Sequence, residues 1–270
     1  MIRDWLHHHP LTGFFALVVC ISWGEIAVIM AARGVDLSPL QPVEGGLLFL
    51  MMLLGPSLGG IACIALLDGR DGLWATWQSA RHWRVAPGWW AVALLTIPVT
   101  LLALLLPLAA IAGPAFTPGH QWALLFVGLV AASFEEIGWT GYATPRLLAR
   151  HGTLRAGLIL GLVWAFWHLL VDFRYNAGSL GALWPLEFAV VYLATLTPYR
   201  MLMTWVFART RSLLLAILMH ASFTGWLMLL FPATKALQSL AWQAGFAMIL
   251  WFLVAAVFVA QRPSPPAWET

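Results

Sequence analysis

Eight separate stretches of this chain are apolar for about 15 to 25 residues each, and a helix needs about 20 such residues to cross a bilayer. They cover residues 11–32, 45–67, 89–112, 121–142, 156–171, 181–198, 212–231 and 240–260, the fifth and sixth being short. Turn-rich segments such as Gly113-Pro114-Ala115-Phe116-Thr117-Pro118-Gly119 separate them. With 61% apolar and 9% charged residues, the chain falls far below the roughly one-quarter charged content of soluble domains. The expectation is an all-α, polytopic membrane protein of about eight transmembrane helices. It forms a single transmembrane domain over residues 1–270, with a Pro-rich cytoplasmic tail, 261–270, expected to be disordered.

Eight spans put both termini on one side, and loop charge chooses the side. The termini and the segments 68–87, 143–155 and 199–211 carry Arg3, Arg70, Arg81, Arg84, Arg146, Arg150, Arg155, Arg200, Arg209, Arg211 and Arg262. The opposite loops carry only Arg33, Arg174 and Lys235. Basic residues stay cytoplasmic, so both termini are expected there. The first span is too long for a signal-peptide core and reads as an uncleaved helix. Trp residues near the predicted ends, such as Trp83, Trp89 and Trp122, fit interfacial anchors. The pI of about 9.2 therefore reflects membrane topology, and nucleic acid is not an expected partner. The Arg-rich, Lys-poor usage and lack of targeting signals point to a bacterial cytoplasmic membrane. Cys20 and Cys63 both fall inside apolar stretches and define neither a disulfide framework nor a zinc cluster.

Ionisable side chains inside the spans are few: Glu25, Glu135, Glu136, His168, Glu187 and His220. Each costs at least ~2.5 kcal/mol near the bilayer centre, so such residues face a cavity or a partner. Counted from the predicted cytoplasmic ends, Glu135, His168 and His220 lie at depths of roughly 15, 18 and 12 Å, at 1.5 Å per residue. Three helices thus deliver a carboxylate and two imidazoles to one layer, and Thr224 shares the helix face of His220. Such a layer can activate water, with a carboxylate as base and an imidazole or hydroxyl holding an oxyanion. Alternatively, His168, His220 and Glu135 could ligate a divalent metal such as zinc, although H-E-x-x-H is absent. A structural polar network or a proton-coupled transporter uses the same residue types. Transport lacks support because no half of the chain repeats. Glu25 and Glu187 sit in no motif and read as structural.

The run Phe134-Glu135-Glu136-Ile137-Gly138-Trp139-Thr140-Gly141-Tyr142, then Pro145-Arg146-Leu147, resembles the first motif of the CPBP (CAAX protease and bacteriocin-processing, or Abi) family. Val163-Trp164-Ala165-Phe166-Trp167-His168 resembles its second motif, an aromatic four residues before His. Residues 204–210, followed by Leu214 to His220-Ala221-Ser222-Phe223-Thr224, resemble the closing segment. Order and spacing agree over 134–224, and Gly55-Pro56 adds a weaker likeness. The resemblance implies an eight-helix intramembrane endopeptidase. In it, Glu135 with His168 would activate water, and His220 with the residue four beyond it would hold the oxyanion. It also implies a family commonly labelled metal-dependent.

Two positions depart from the pattern. Thr140 stands where the motif has an arginine, leaving Glu136 without a guanidinium from that position, for which Arg146 is the nearest substitute. Thr224 stands where Asn is common, though its hydroxyl still donates a hydrogen bond. The expected partners are the bilayer and a membrane-embedded peptide or lipidated protein: a prenylated CAAX tail, or a bacteriocin-like leader. The alternative is a non-catalytic immunity or scaffold relative.

Overall fold

A computed structural model of the protein describes residues 2–34 and 41–260. The tail 261–270 and the side chain of Glu25 lie outside the described residues, and so do the expectations attached to them. The described chain is helical, in the order α1 (Ile2–His8), α2 (Pro10–Arg33), α3 (Pro42–Leu67), α4 (Gly69–Ala80), α5 (Pro87–Ala112), α6 (Leu124–Gly138), α7 (Thr144–Trp167), α8 (Leu169–Leu180), α9 (Trp184–Phe188), α10 (Ala194–Thr210), α11 (Leu213–Leu229) and α12 (Ala236–Ala260). A π turn, Trp139–Ala143, joins α6 to α7, and a second, Ala189–Leu193, joins α9 to α10. No described residue lies in a strand.

The eight apolar stretches fall mainly on helix, and the protein is an all-α polytopic membrane protein. Two runs, Leu124–Trp167 and Leu169–Thr210, are 44 and 42 residues long. At 1.5 Å per residue each exceeds 60 Å, about twice the bilayer core, so neither is a single straight span. Gly152, at φ 67° and ψ 176°, interrupts the first and separates the fourth predicted span from the fifth.

Glycines let the site-bearing helices touch, as expected where lipid supplies no hydrophobic drive between them. A Cβ on Gly128 of α6 would lie 2.5 Å from the Gly225 nitrogen of α11. One on Gly161 of α7 would lie 2.8 Å from the Thr197 carbonyl oxygen of α10. Backbone-to-backbone packing at these two crossings sets Glu136, Arg200 and His220 side by side.

Three of the four prolines inside these helices, Pro107 excepted, follow a single rule. Each removes the hydrogen bond to the carbonyl four residues earlier, a loss that lipid cannot make good. Pro56 frees the Met52 carbonyl, which accepts from Ser22 Oγ of α2 at 3.1 Å. Pro98 frees that of Leu94, which accepts from Ser222 Oγ of α11 at 3.0 Å. Pro198 frees that of Ala194, which accepts from Trp251 Nε1 of α12 at 2.9 Å. Breaks in single helices thereby become ties between helices.

The last of these ties corrects the sequence reading. Residues 199–211 were expected as a cytoplasmic loop because Pro198 and three arginines look like a helix end. Instead α10 runs to Thr210, and Tyr199, Arg200 and Met201 are buried. The segment 68–87 is likewise no simple loop, since α4 occupies most of it. With Arg200 removed from the loop arginines, ten basic residues stay opposite three, so the charge asymmetry holds.

Candidate active site

The two adjacent glutamates of α6 have different environments. Glu136 is fully buried and every bonding direction of its carboxylate is taken. Arg200 donates to it in fork geometry, Nη1 to Oε2 at 2.8 Å and Nη2 to Oε1 at 2.9 Å. The Thr140 hydroxyl donates to Oε2, and His220 Nδ1 lies 2.8 Å from Oε1. Arg200 also lies 4.0 Å over the Trp164 ring, while its Nε meets no partner among the described residues. A bidentate guanidinium–carboxylate pair of this kind is the arrangement that best offsets burial of two charges. With its lone pairs occupied, Glu136 is placed to orient His220 rather than to take a proton.

Arg200 is the functional residue that sequence reasoning missed. The guanidinium absent at Thr140 is supplied from α10, 64 residues beyond Glu136 in the chain. Arg146, the substitute expected, instead pairs with Asp68 at 2.5 Å and covers the Tyr142 ring at 3.8 Å. The signal available in the sequence was electrostatic: two adjacent membrane glutamates need a cation, and Arg200 directly follows an apolar stretch.

Glu135 is buried but open on one side. Its Oε2 accepts from Trp164 Nε1 at 3.0 Å and Trp139 Nε1 at 3.3 Å. No described residue bonds Oε1. Glu135 and His168 line the same cavity of about 150 Å³, walled by Met52 and Leu53 of α3 and by Val171 and Tyr175 of α8. Its walls are mostly apolar, so a water within it would be held at the edge that Glu135 and His168 supply.

His168 sits at the junction of α7 and α8. Its own N–H bonds back to Ala165, which frees the Trp164 carbonyl to accept from the His168 ring at Nδ1, 2.8 Å away. A carbonyl only accepts, so Nδ1 carries the hydrogen and Nε2 keeps a lone pair. Tyr192, on the second π turn, covers the ring with centroids 5.0 Å apart. The first π turn starts directly after the glutamate helix, where the Trp139 carbonyl accepts from the Thr144 hydroxyl five residues on. Both π turns border the cavity residues, a common placement for this irregularity.

On α11, His220 is buried and its ring stands edge-on to Trp164, centroids 5.0 Å apart. Its Nδ1 faces a carboxylate and so carries hydrogen, leaving Nε2 as the second functional atom. Thr224 is half-buried, and its hydroxyl bonds no described residue, so the back-bond to the His220 carbonyl is not formed. The layer expected from helix depth is thus assembled: Trp164 bridges Glu135, Arg200 and His220, while Glu135 shares its cavity with His168. Glu187 is half-buried beside Asp172, which accepts from Asn176 and Trp184, and this polar group meets the site through Tyr192, the ring that covers His168.

The zinc reading asks whether His168, His220 and Glu135 form a ligand set. Among the described residues no three of His, Cys, Asp and Glu stand together as a group able to hold a metal ion. The bonds made by His220 Nδ1 and one oxygen of Glu135 leave the other atoms of both side chains open, so the objection to a metal is the spacing of the three side chains. The side chains as placed do not fit a metal.

Comparison with known proteins finds two likenesses. Residues 117–226 match the type II CAAX prenyl endopeptidase Rce1-like family. The match contains every residue of the site, Arg200 included. CAAX prenyl protease 2 of Methanococcus maripaludis is 30% identical over 142 residues, covering 48% of this chain and 51% of that protein. The chain therefore spans about half the length of the curated relative it matches.

Proposed function

We propose that the protein is an intramembrane endopeptidase that hydrolyses a peptide bond near the lipidated, CAAX-like end of a membrane-bound substrate. The observation that carries this reading is the cavity shared by Glu135 and His168, with Glu136 held out of the chemistry by its four partners.

In the reaction, Glu135 takes one proton of a cavity water through its open Oε1 while His168 Nε2 accepts a hydrogen bond from the other hydrogen. The water oxygen adds to the scissile carbonyl, whose electron pair moves onto its oxygen. The Thr224 hydroxyl and the His220 ring, oriented at Nδ1 by Glu136, stabilise that oxyanion. Collapse breaks the C–N bond, and Glu135 returns its proton to the leaving amine. The indoles of Trp139 and Trp164 fix the carboxylate throughout, and apolar walls keep bulk water out. Metal assistance is not needed for any of these steps.

Both termini face the cytoplasm in this reading, which reporter fusions within residues 143–155 check; a signal from the opposite side refutes it. The substrate class comes from the name of the Methanococcus relative and from the membrane depth of the site. Incubating the purified chain with a farnesylated CAAX peptide and its unlipidated twin tests the reading, with released fragments identified by mass spectrometry. Cleavage of the lipidated peptide supports it. Cleavage of neither, or of a leader peptide alone, sends the substrate assignment elsewhere.

A further inference from the structure

We propose that the groove between α4 and the α10–α11 turn is a binding site for the phosphodiester headgroup of an anionic membrane lipid. The groove is shallow and open to its surroundings, has a volume of about 700 Å³, and is lined by the exposed guanidinium residues Arg81, Arg84 and Arg211 together with Trp74, Trp77 and Trp83. It lies at the end of the bundle, apart from the Glu135 cavity, and does not depend on the protease reading.

Three observations support a site rather than scattered basic residues. First, α4 has 12 residues, too few to span, and buries none of its side chains. Leu73, Trp74 and Trp77 are exposed on it, at 37%, 58% and 52%. A helix with apolar and indole groups turned away from the protein belongs in the membrane interface. Second, the arginines come from two segments that are tied together. Ser79 Oγ donates to the Arg211 carbonyl at 2.7 Å, Ser212 Oγ donates to that of His82 at 2.5 Å, and the Leu213 N–H donates to Ser79 Oγ at 3.0 Å. Arg81 and Arg84 lie against indole rings, and none of the three arginines has a carboxylate partner among the described residues. Third, Arg211 holds φ at +55°, where it closes α10. That position is normally glycine, because a Cβ is strained in the left-handed region. Retaining arginine there keeps a charged side chain in the groove at the expense of backbone ease.

The occupant follows from this chemistry. Planar guanidinium forks match phosphate oxygens, and the surrounding indoles favour the headgroup level of a bilayer. A free phosphate would meet the same arginines but would gain nothing from the exposed Leu73 and tryptophans, so we commit to the lipid.

Arg211→Gly separates ligand binding from folding, since it relieves the strained backbone while deleting the guanidinium. The full chain in neutral detergent is titrated with phosphatidylglycerol or phosphatidylcholine, and retained lipid is counted by native mass spectrometry. Preferential retention of phosphatidylglycerol is expected. Arg211→Gly should weaken it about fivefold, and Arg81→Gln/Arg84→Gln/Arg211→Gly on the order of 100-fold, with thermal stability in the lipid-free detergent equal or higher for the glycine variant. If the triple variant fails to fold, the exposed Arg84→Gln alone carries the fivefold expectation. Equal retention of both lipids overturns the proposal. So does unchanged phosphatidylglycerol retention in Arg211→Gly or Arg84→Gln, and so does displacement by millimolar inorganic phosphate. Loss of equal size in Arg150→Gln/Arg155→Gln, which lies outside the groove, would show diffuse attraction and likewise refute a built site.

Discussion

Replacing Arg200 by Met removes the guanidinium from Glu136 and leaves a fully buried carboxylate with two of its four donors. Two routes to the magnitude agree. Losing two charge-assisted hydrogen bonds costs about 3–6 kcal/mol at roughly 1.5–3 each. Breaking a buried ion pair on one side costs roughly 3–5 kcal/mol. The stacking of Arg200 on Trp164 adds up to about 2 kcal/mol, part of which Met regains through its own packing. A loss of about 4 kcal/mol is therefore expected, a large share of a total stability of roughly 5–15. Arg200→Lys should recover only part of it, since a point charge cannot fill the fork. Because Glu136 then orients His220 less well, turnover falls further than folded protein does. Equilibrium unfolding in detergent, with cleavage normalised to the folded fraction, reads both quantities. Glu136→Gln with Arg200→Met should be less damaging than the two single losses added together. Thr140→Arg should restore activity to Arg200→Ala by returning the guanidinium from α6. A stability loss below about 1 kcal/mol in Arg200→Met would refute the claim that this pair organises the site.

Other expectations are narrower. Thr224→Val should lower kcat by roughly 10- to 1000-fold with little change in KM, while Thr224→Asn is tolerated; an unchanged kcat removes Thr224 from the oxyanion role. Ser222→Ala should cost about 1–3 kcal/mol by uncovering the Leu94 carbonyl, and Pro98→Ala should recover most of it by restoring a backbone donor. Thermal denaturation of the two variants checks this, and no recovery in the double variant contradicts the tie. Strong chelator should leave cleavage intact, because the side chains as placed form no metal-holding group. Activity lost to chelator and restored by zinc would make His168 and His220 ligands.

The sequence displayed the apolar spans and the face shared by His220 and Thr224, because periodicity is a local property. Arg200 was hidden for a physical reason. Proline close to arginine normally marks a cytoplasmic helix end, yet α10 continues past Pro198, and the carbonyl that proline frees, that of Ala194, is covered by Trp251, 57 residues from it in sequence. The division of labour between Glu135 and Glu136 was equally illegible. Adjacent identical residues acquire different roles only once one meets Arg200 and the other meets a cavity. The two π turns leave no signature in apolar periodicity, yet one follows the glutamates directly and the other sets Tyr192 on His168. The segment before α5 showed its arginines as loop charge, and its helical character emerged only with Trp74 and Trp77 placed on α4.

The account rests on Glu135 as the base. Glu135→Gln keeps the acceptor for Trp139 and Trp164 and nearly the same shape, while removing the group that takes the proton. Cleavage of one lipidated peptide by wild type and Glu135→Gln, both confirmed as folded by their thermal transitions, is the most direct measurement. The account predicts a fall in kcat/KM of about 100-fold or more with an unchanged transition. Wild-type cleavage by Glu135→Gln would contradict it and remove the carboxylate from the chemistry.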